Sequence, residues 1–141
     1  MAVTRDNLGF LLAKASQRWN ELLYERFKAA GFPEIRPAYG SILVPLFEED
    51  GLRIGELARR ARLAKQTMTT MVRLLERDGL VRRERDPADG RAFLVRLTPR
   101  ARQARPVIET TLRELDRRVA SRLTARQRAA LPAALKEVTA L

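Results

Sequence analysis

Between residues 65 and 73 the sequence sets Lys65, Gln66, Thr67, Thr69, Thr70 and Arg73 around an apolar set, Met68, Met71 and Val72. At helical spacing this gives one polar, basic face of short and medium side chains and one face that can pack on a domain. The chemistry open to such a face is base reading. Glutamine can read adenine, lysine and arginine can read guanine, and threonine can offer its methyl to thymine. A second group follows at residues 82–91. Arg82, Arg83 and Arg85 lead into Asp86-Pro87-Ala88-Asp89-Gly90-Arg91. An arginine at a hairpin tip can enter a narrow minor groove, where the negative potential is strongest. Asp89 could orient the Arg91 guanidinium by a charge-assisted bond. Taken alone, the first segment reads equally well as an ordinary amphipathic helix, and the second as a solvated turn.

Charge placement favours the nucleic-acid reading. The 141-residue chain carries 28 Lys+Arg against 17 Asp+Glu, a net +11. Residues 52–100 hold thirteen of the basic residues and six of the acidic ones, +7 of that total. A basic excess concentrated in one third of the chain fits a polyanionic partner. The preference for arginine over lysine also follows from a GC-rich genome and is not itself evidence of function. There is no cysteine and no histidine. That excludes disulfides, thiolate or histidine zinc sites, and triads built on Ser-His or Cys-His. Paired carboxylates and phosphate loops are missing as well, so no catalytic residue, cofactor or metal is expected. No apolar run reaches the length of a membrane span and no signal-peptide core is visible, so a cytoplasmic protein is expected.

The elements that must hold these residues can be read from periodicity. Leu8, Leu12, Ala15, Trp19, Leu22 or Leu23, Phe27 and Ala30 mark a long first helix that stops at Gly31. Pro37 opens a second helix, kinked by Pro45 and closed by Asp50-Gly51. Its Tyr39, Leu43 and Phe47, with Trp19, are either core or the lining of a small-molecule site. Residues 54–62 and 64–78 read as two short helices joined by a tight turn, the layout of a helix-turn-helix. Residues 80–85 and 92–97 flank a turn at 86–91 in which Asp-Gly supplies positive φ. Thr98-Pro99 starts a long helix. Thr124 to Gln127 forms a capping box for a last helix, in which Pro132 predicts a bend. The expected fold is mainly α with a small β-hairpin: a winged helix-turn-helix over residues 51–97, flanked by long dimerising helices at 1–50 and 98–141, all in one domain. Leu8, Leu12, Leu112, Leu115, Val119, Leu131 and Leu135 are the expected dimer contacts, because these stripes exceed what a small winged domain can cover.

Several stretches together resemble the MarR family of bacterial regulators. They are Glu56-Leu57-Ala58, Lys65 to Thr69, Leu74 to Val81, Asp86 to Arg91, and Val95-Arg96-Leu97-Thr98. The resemblance implies a homodimer whose terminal helices interlock and whose winged domains grip a pseudo-palindromic DNA operator. It places Lys65 to Thr70 and Arg73 on the recognition helix and Asp89 and Arg91 on the wing, with Arg85 on its approach. It implies a repressor released by a small aromatic or anionic effector, expected near Trp19, Tyr39, Leu43 and Phe47. A low-specificity architectural DNA-binding protein is the alternative. Two positions depart from the family pattern. Arg62 stands where many relatives carry glycine, and Ala64 replaces the usual hydroxyl cap of the recognition helix, at a cost of roughly 1 kcal/mol.

Overall fold

The computed structural model describes residues 3–141. Helix α1 runs Leu8–Ala29, capped by the Asn7 side chain, which accepts the Phe10 N–H. It ends before Gly31, whose φ of +92° suits glycine. One 3₁₀ turn, Pro37–Tyr39, leads into α2, Gly40–Glu48, which continues through Pro45. Strand β1 is only Leu52–Arg53. Helices α3, Ile54–Ala61, and α4, Lys65–Arg77, form the helix-turn-helix. Strands β2, Val81–Asp86, and β3, Asp89–Leu97, form the hairpin. Helices α5, Pro99–Ala120, and α6, Ala125–Thr139, close the chain. Mainly helical with a small antiparallel sheet, this is the architecture expected of a winged helix-turn-helix.

The sheet has the order β1-β3-β2, all antiparallel. Leu52 and Arg53 pair with Val95 and Leu94, so the short segment before α3 is a true third strand. Its partner strand is long enough to serve both neighbours, which is why two residues suffice. One face of the sheet places Val81, Val95 and Leu97 in the core with Leu52. Against them pack Met68, Val72 and Leu75 of α4, Leu57 of α3, and Ile42, Leu43 and Leu46 of α2. Leu23 and Phe27 of α1 join Ala104, Ile108 and Leu115 of α5 in the same cluster. A few polar contacts fix the junctions. Thr98 accepts the Ala101 N–H at the start of α5 and donates its hydroxyl to the Gly79 carbonyl at 2.7 Å. Asp50 accepts the Leu97 N–H at 3.0 Å and pairs with Arg102 at 2.7 Å. The winged segment is therefore pinned to α5 at the base of the sheet, on its β1 side through Asp50 and on its β2 side through Gly79.

The turn chemistry differs from its expectation. The hairpin loop is Pro87-Ala88, and Asp89-Gly90 already belongs to β3. Gly90 is not among the residues with positive φ. The Asp86 side chain supplies the turn instead, accepting the Ala88 N–H at 2.8 Å. The capping box at Thr124 and Gln127 is present, with both reciprocal bonds. Helix α6 passes through Pro132 without interruption.

Helix α6 buries no residue within its own chain. Leu131, Leu135 and Val138 stay exposed, as do Val119 of α5 and Leu8 of α1. Leu12, Ala15 and Trp19 of α1 face Val119, Leu131 and Leu135 across an apolar cleft of about 690 Å³. Leu115 departs from the expected dimer set. It is 2% exposed and belongs to the core, because α5 presents that position to α1 rather than outward. Leu112 is partly buried on the same core.

Candidate nucleic-acid interface

Helix α4 owes its position to Met68, Val72 and Leu75, which are buried, and to Met71 and Leu74, which are half-buried. That anchoring leaves Lys65, Gln66, Thr67, Thr70 and Arg73 exposed, with Thr69 between the two faces. Among the described residues, Lys65 and Arg73 belong to no ion pair. Thr69 donates its hydroxyl to the Lys65 carbonyl at 2.9 Å, and Thr70 donates to that of Gln66 at 3.2 Å. Both hydroxyl protons are thus committed to the helix. What remains for a ligand is each methyl group and the acceptor lone pairs. Ala64 gives no side-chain cap, so the first-turn N–H groups of α4 stay open at the positive end of the helix dipole.

The turn before α4 is held by an unusual backbone. Arg62, at the C-cap of α3, has φ 57° and ψ 41°, the left-handed region that glycine adopts without strain. Its guanidinium donates to the Thr139 carbonyl at the end of α6. An exposed helix C-terminus is a favourable place for a cation.

On the wing, β2 and β3 pair in register from Val81↔Leu97 to Arg85↔Phe93, and then Asp86 pairs with Asp89. Residues 90–92 therefore bulge out of β3, and Arg91 sits in the middle of the bulge. Its side chain is 95% exposed. Asp89 accepts the Arg91 backbone N–H at 3.1 Å, whereas its carboxylate lies 3.6 Å from the Arg91 Nε. Asp89 thus shapes the bulge more firmly than it grips the guanidinium. Arg85 does not project freely: it donates to the Gly90 carbonyl and lies over the Phe93 ring. Arg83 covers the same ring from the other side of the register and reaches Glu76 of α4 at 3.3 Å, joining wing and recognition helix.

Arg53, not singled out in the sequence, belongs to this site through its bond to Asp86 of the wing. Arg53 donates through Nε, at 2.9 Å, and Nη2, at 2.5 Å, to Asp86 Oδ2. They lie 33 positions apart, and no local pattern links them. Only the strand order, which sets β1 and β2 on either side of β3, brings them together.

The expected effector residues do not form one site. Tyr39 and Leu43 are core residues. The Tyr39 hydroxyl donates to Asp78 at the end of α4 at 2.5 Å. Phe47 is half-buried beneath the Arg105 guanidinium. Of the four, Trp19 lines a cavity, the α1–α5–α6 cleft.

Acidic groups around the site are held ionised by their partners. Glu56 takes hydrogen bonds from Arg59 and then Arg60, which hold its carboxyl at about 2. Asp78 is lowered by Arg77 and the Tyr39 hydroxyl, Asp86 by the Ala88 N–H and Arg53, and Glu34 by Arg100. Each lowered carboxyl stabilises the folded chain fully above its ordinary value, 3.8 for aspartate and 4.5 for glutamate. That contribution is lost as pH falls through the folded-state value. With no histidine or cysteine in the sequence, the melting temperature is expected to stay level between about pH 6 and pH 9 and to drop on acidification below the ordinary carboxylate range. Melting curves across that range check this; a step near neutrality would contradict it.

The geometry has counterparts among known proteins. The sequence model of the MarR family matches residues 36–93. An HTH-type transcriptional repressor of Mycobacterium tuberculosis, Rv2887, is 40% identical over 82 residues, 58% of this chain and 59% of that protein. The match thus spans about three fifths of that relative's length. A probable transcriptional regulator from Pseudomonas aeruginosa superposes with a TM-score of 0.79 at 28% identity, covering 94% of this chain and 97% of its own. The repressor CouR, solved on a 23-mer DNA duplex, shares the fold with a TM-score of 0.74 at 22% identity and 99% coverage of both chains.

Proposed function

We propose that the chain is a member of the MarR family, whose sequence model matches residues 36–93, and that it is a sequence-specific, double-stranded DNA-binding transcriptional repressor acting as a homodimer. The observation that carries this reading is the exposed face of α4. Lys65, Gln66, Thr67, Thr70 and Arg73 stand exposed on a helix whose other face is locked in the core. A face of that chemistry has no task in packing and fits the major groove. The Arg91 bulge supplies a second, minor-groove contact. The similar proteins described above point the same way: one is a transcriptional repressor and another a probable transcriptional regulator.

The second copy covers the α1–α5–α6 cleft. A helix with no buried residue, facing an apolar cleft of about 690 Å³ in its own chain, is half of an interface. Two-fold pairing presents two recognition helices to one side of the duplex, so the operator is a pseudo-palindrome with half-sites about one helical turn apart.

The test is selection of bound duplexes from genomic DNA, followed by titration at several salt concentrations. A recurrent inverted repeat is expected. With Lys65, Arg73 and Arg91 in each of two copies, affinity should fall by about a thousandfold or more between roughly 50 and 200 mM salt. Recovery of unrelated sequences with equal affinity would instead support the architectural alternative.

A small aromatic or anionic effector would bind beside Trp19, at the mouth of the same cleft, and alter the spacing of the two winged domains. Trp19 is the chain's one tryptophan, so its fluorescence reads this directly. Quenching of Trp19 by an aromatic carboxylate, with release of operator at the same concentrations, is the expected result. Quenching without release would separate the site from regulation.

A further inference from the structure

The wing is a three-stranded sheet only at its base. Strand β1 ends at Arg53, opposite Leu94. Beyond that point, Arg85 to Phe93 and the turn between them form a two-stranded ribbon. Such a ribbon is marginal on its own in water and free to twist. Where the third strand stops, the Arg53 side chain continues. It crosses β3 and sets two donors on one oxygen of Asp86, while the other oxygen of Asp86 holds the Ala88 N–H at 2.8 Å. One carboxylate is thereby tied both to the body of the protein and to the hairpin turn. Asp86 is 10% exposed at its side chain and Arg53 49%. Among the described residues, the other polar side-chain contacts of residues 85–92 stay within the hairpin.

We infer that Arg53 is a positioning residue for DNA binding: by bracing Asp86 it fixes the tilt of the outer wing, and so the place where Arg91 meets the duplex. This rests on the DNA-binding function proposed above. A half-exposed ion pair adds little to overall stability, so the value of this one lies in direction. Arg91 is three residues beyond Leu94, a lever of about 10 Å at strand rise. A tilt of about 10° would carry its base nearly 2 Å, more than the tolerance of a hydrogen bond.

The decisive variants are Arg53→Ala, Arg53→Lys, Asp86→Asn and Arg91→Ala, alone and with Arg53→Ala and Arg91→Ala combined. In the DNA-free protein, hydrogen exchange at the Ala88 and Phe93 amides should quicken about tenfold in Arg53→Ala and Asp86→Asn, with the α4 and α5 amides unchanged. Unchanged wing exchange overturns the inference whether or not the protein binds DNA. In operator titrations, Arg53→Ala should weaken binding about 5- to 20-fold, but less than twofold in the Arg91→Ala background. Additive losses would mean that Arg53 touches DNA itself, and would overturn the positioning role. Asp86→Asn removes a negative charge from a DNA-binding surface, so simple electrostatics predicts tighter binding; bracing predicts weaker binding, and tighter binding would refute it. Arg53→Lys, with its single-point donor, should recover only part of the loss. If the parent protein selects no duplex while Arg53→Ala still loosens the wing, the DNA-binding proposal fails and the brace stands.

Discussion

Replacing both Leu131 and Leu135 by aspartate is expected to convert the protein to a monomer and to lower operator affinity by about a hundredfold or more. The two leucines stand exposed on α6, one turn apart, and face Leu12 and Trp19 across the apolar cleft. Burying four carboxylates in an interface, two from each copy, costs far more than such a contact returns. Once the copies separate, each half-site is bound without the other, and the gain from linking two binding events, about 10²- to 10⁴-fold, is lost. The winged segment itself should survive, because no residue of α6 contributes to the buried core. Sedimentation, operator titration and far-UV circular dichroism on the same variant separate these outcomes. A variant that still sediments as a dimer would show that the second copy does not sit in this cleft.

The next largest effect is expected at Arg91. Its side chain stands on a three-residue bulge, is 95% exposed, and has only a 3.6 Å approach from Asp89. Nothing in the fold depends on it, so Arg91→Ala should leave the melting temperature within about a degree. Operator binding should weaken by roughly 1–3 kcal/mol, the scale of a good groove contact. Arg91→Lys should restore part of it, because an ammonium is more strongly hydrated and lacks the planar fork. Asp89→Ala should cost less than Arg91→Ala and act through the bulge, since its firmer bond is to the Arg91 backbone. Equal affinity of Arg91→Ala and the parent protein would remove the wing from the DNA contact. Lys65→Ala, by contrast, should change which sequences are preferred, because an α4 side chain meets base edges rather than only phosphates.

Most of the fold is written in local signals. Helix starts at Asn7, Thr98 and Thr124 are set by side chains that cap their own backbone within three residues. The recognition face of α4 follows from the spacing of Met68, Met71, Val72 and Leu75 alone. What was hidden depends on distant partners. Asp-Gly at 89–90 looks like the turn, but Asp86 makes a tighter one at Pro87-Ala88 by capping Ala88. Tyr39 and Leu43 have the composition of a ligand pocket, yet the Tyr39 hydroxyl finds Asp78, 39 residues away, and both side chains close into the core. Leu115 has the periodicity of a dimer contact, but it is buried in the core that α5 shares with Leu23 and Phe27 of α1. The Arg53–Asp86 brace needs the strand order before it can be seen at all.

The unsupported state of α6 also bears on how stability must be measured. If its apolar face is satisfied only by a second copy, then ordering of α6 and pairing of chains are one equilibrium, governed by mass action. The melting temperature then rises with protein concentration, and the slope of that rise reports the stoichiometry of the folded species. Comparisons between variants hold only at matched concentration. A substitution that leaves every intrachain contact intact can still shift the transition, by changing how much of the protein is paired when heating begins.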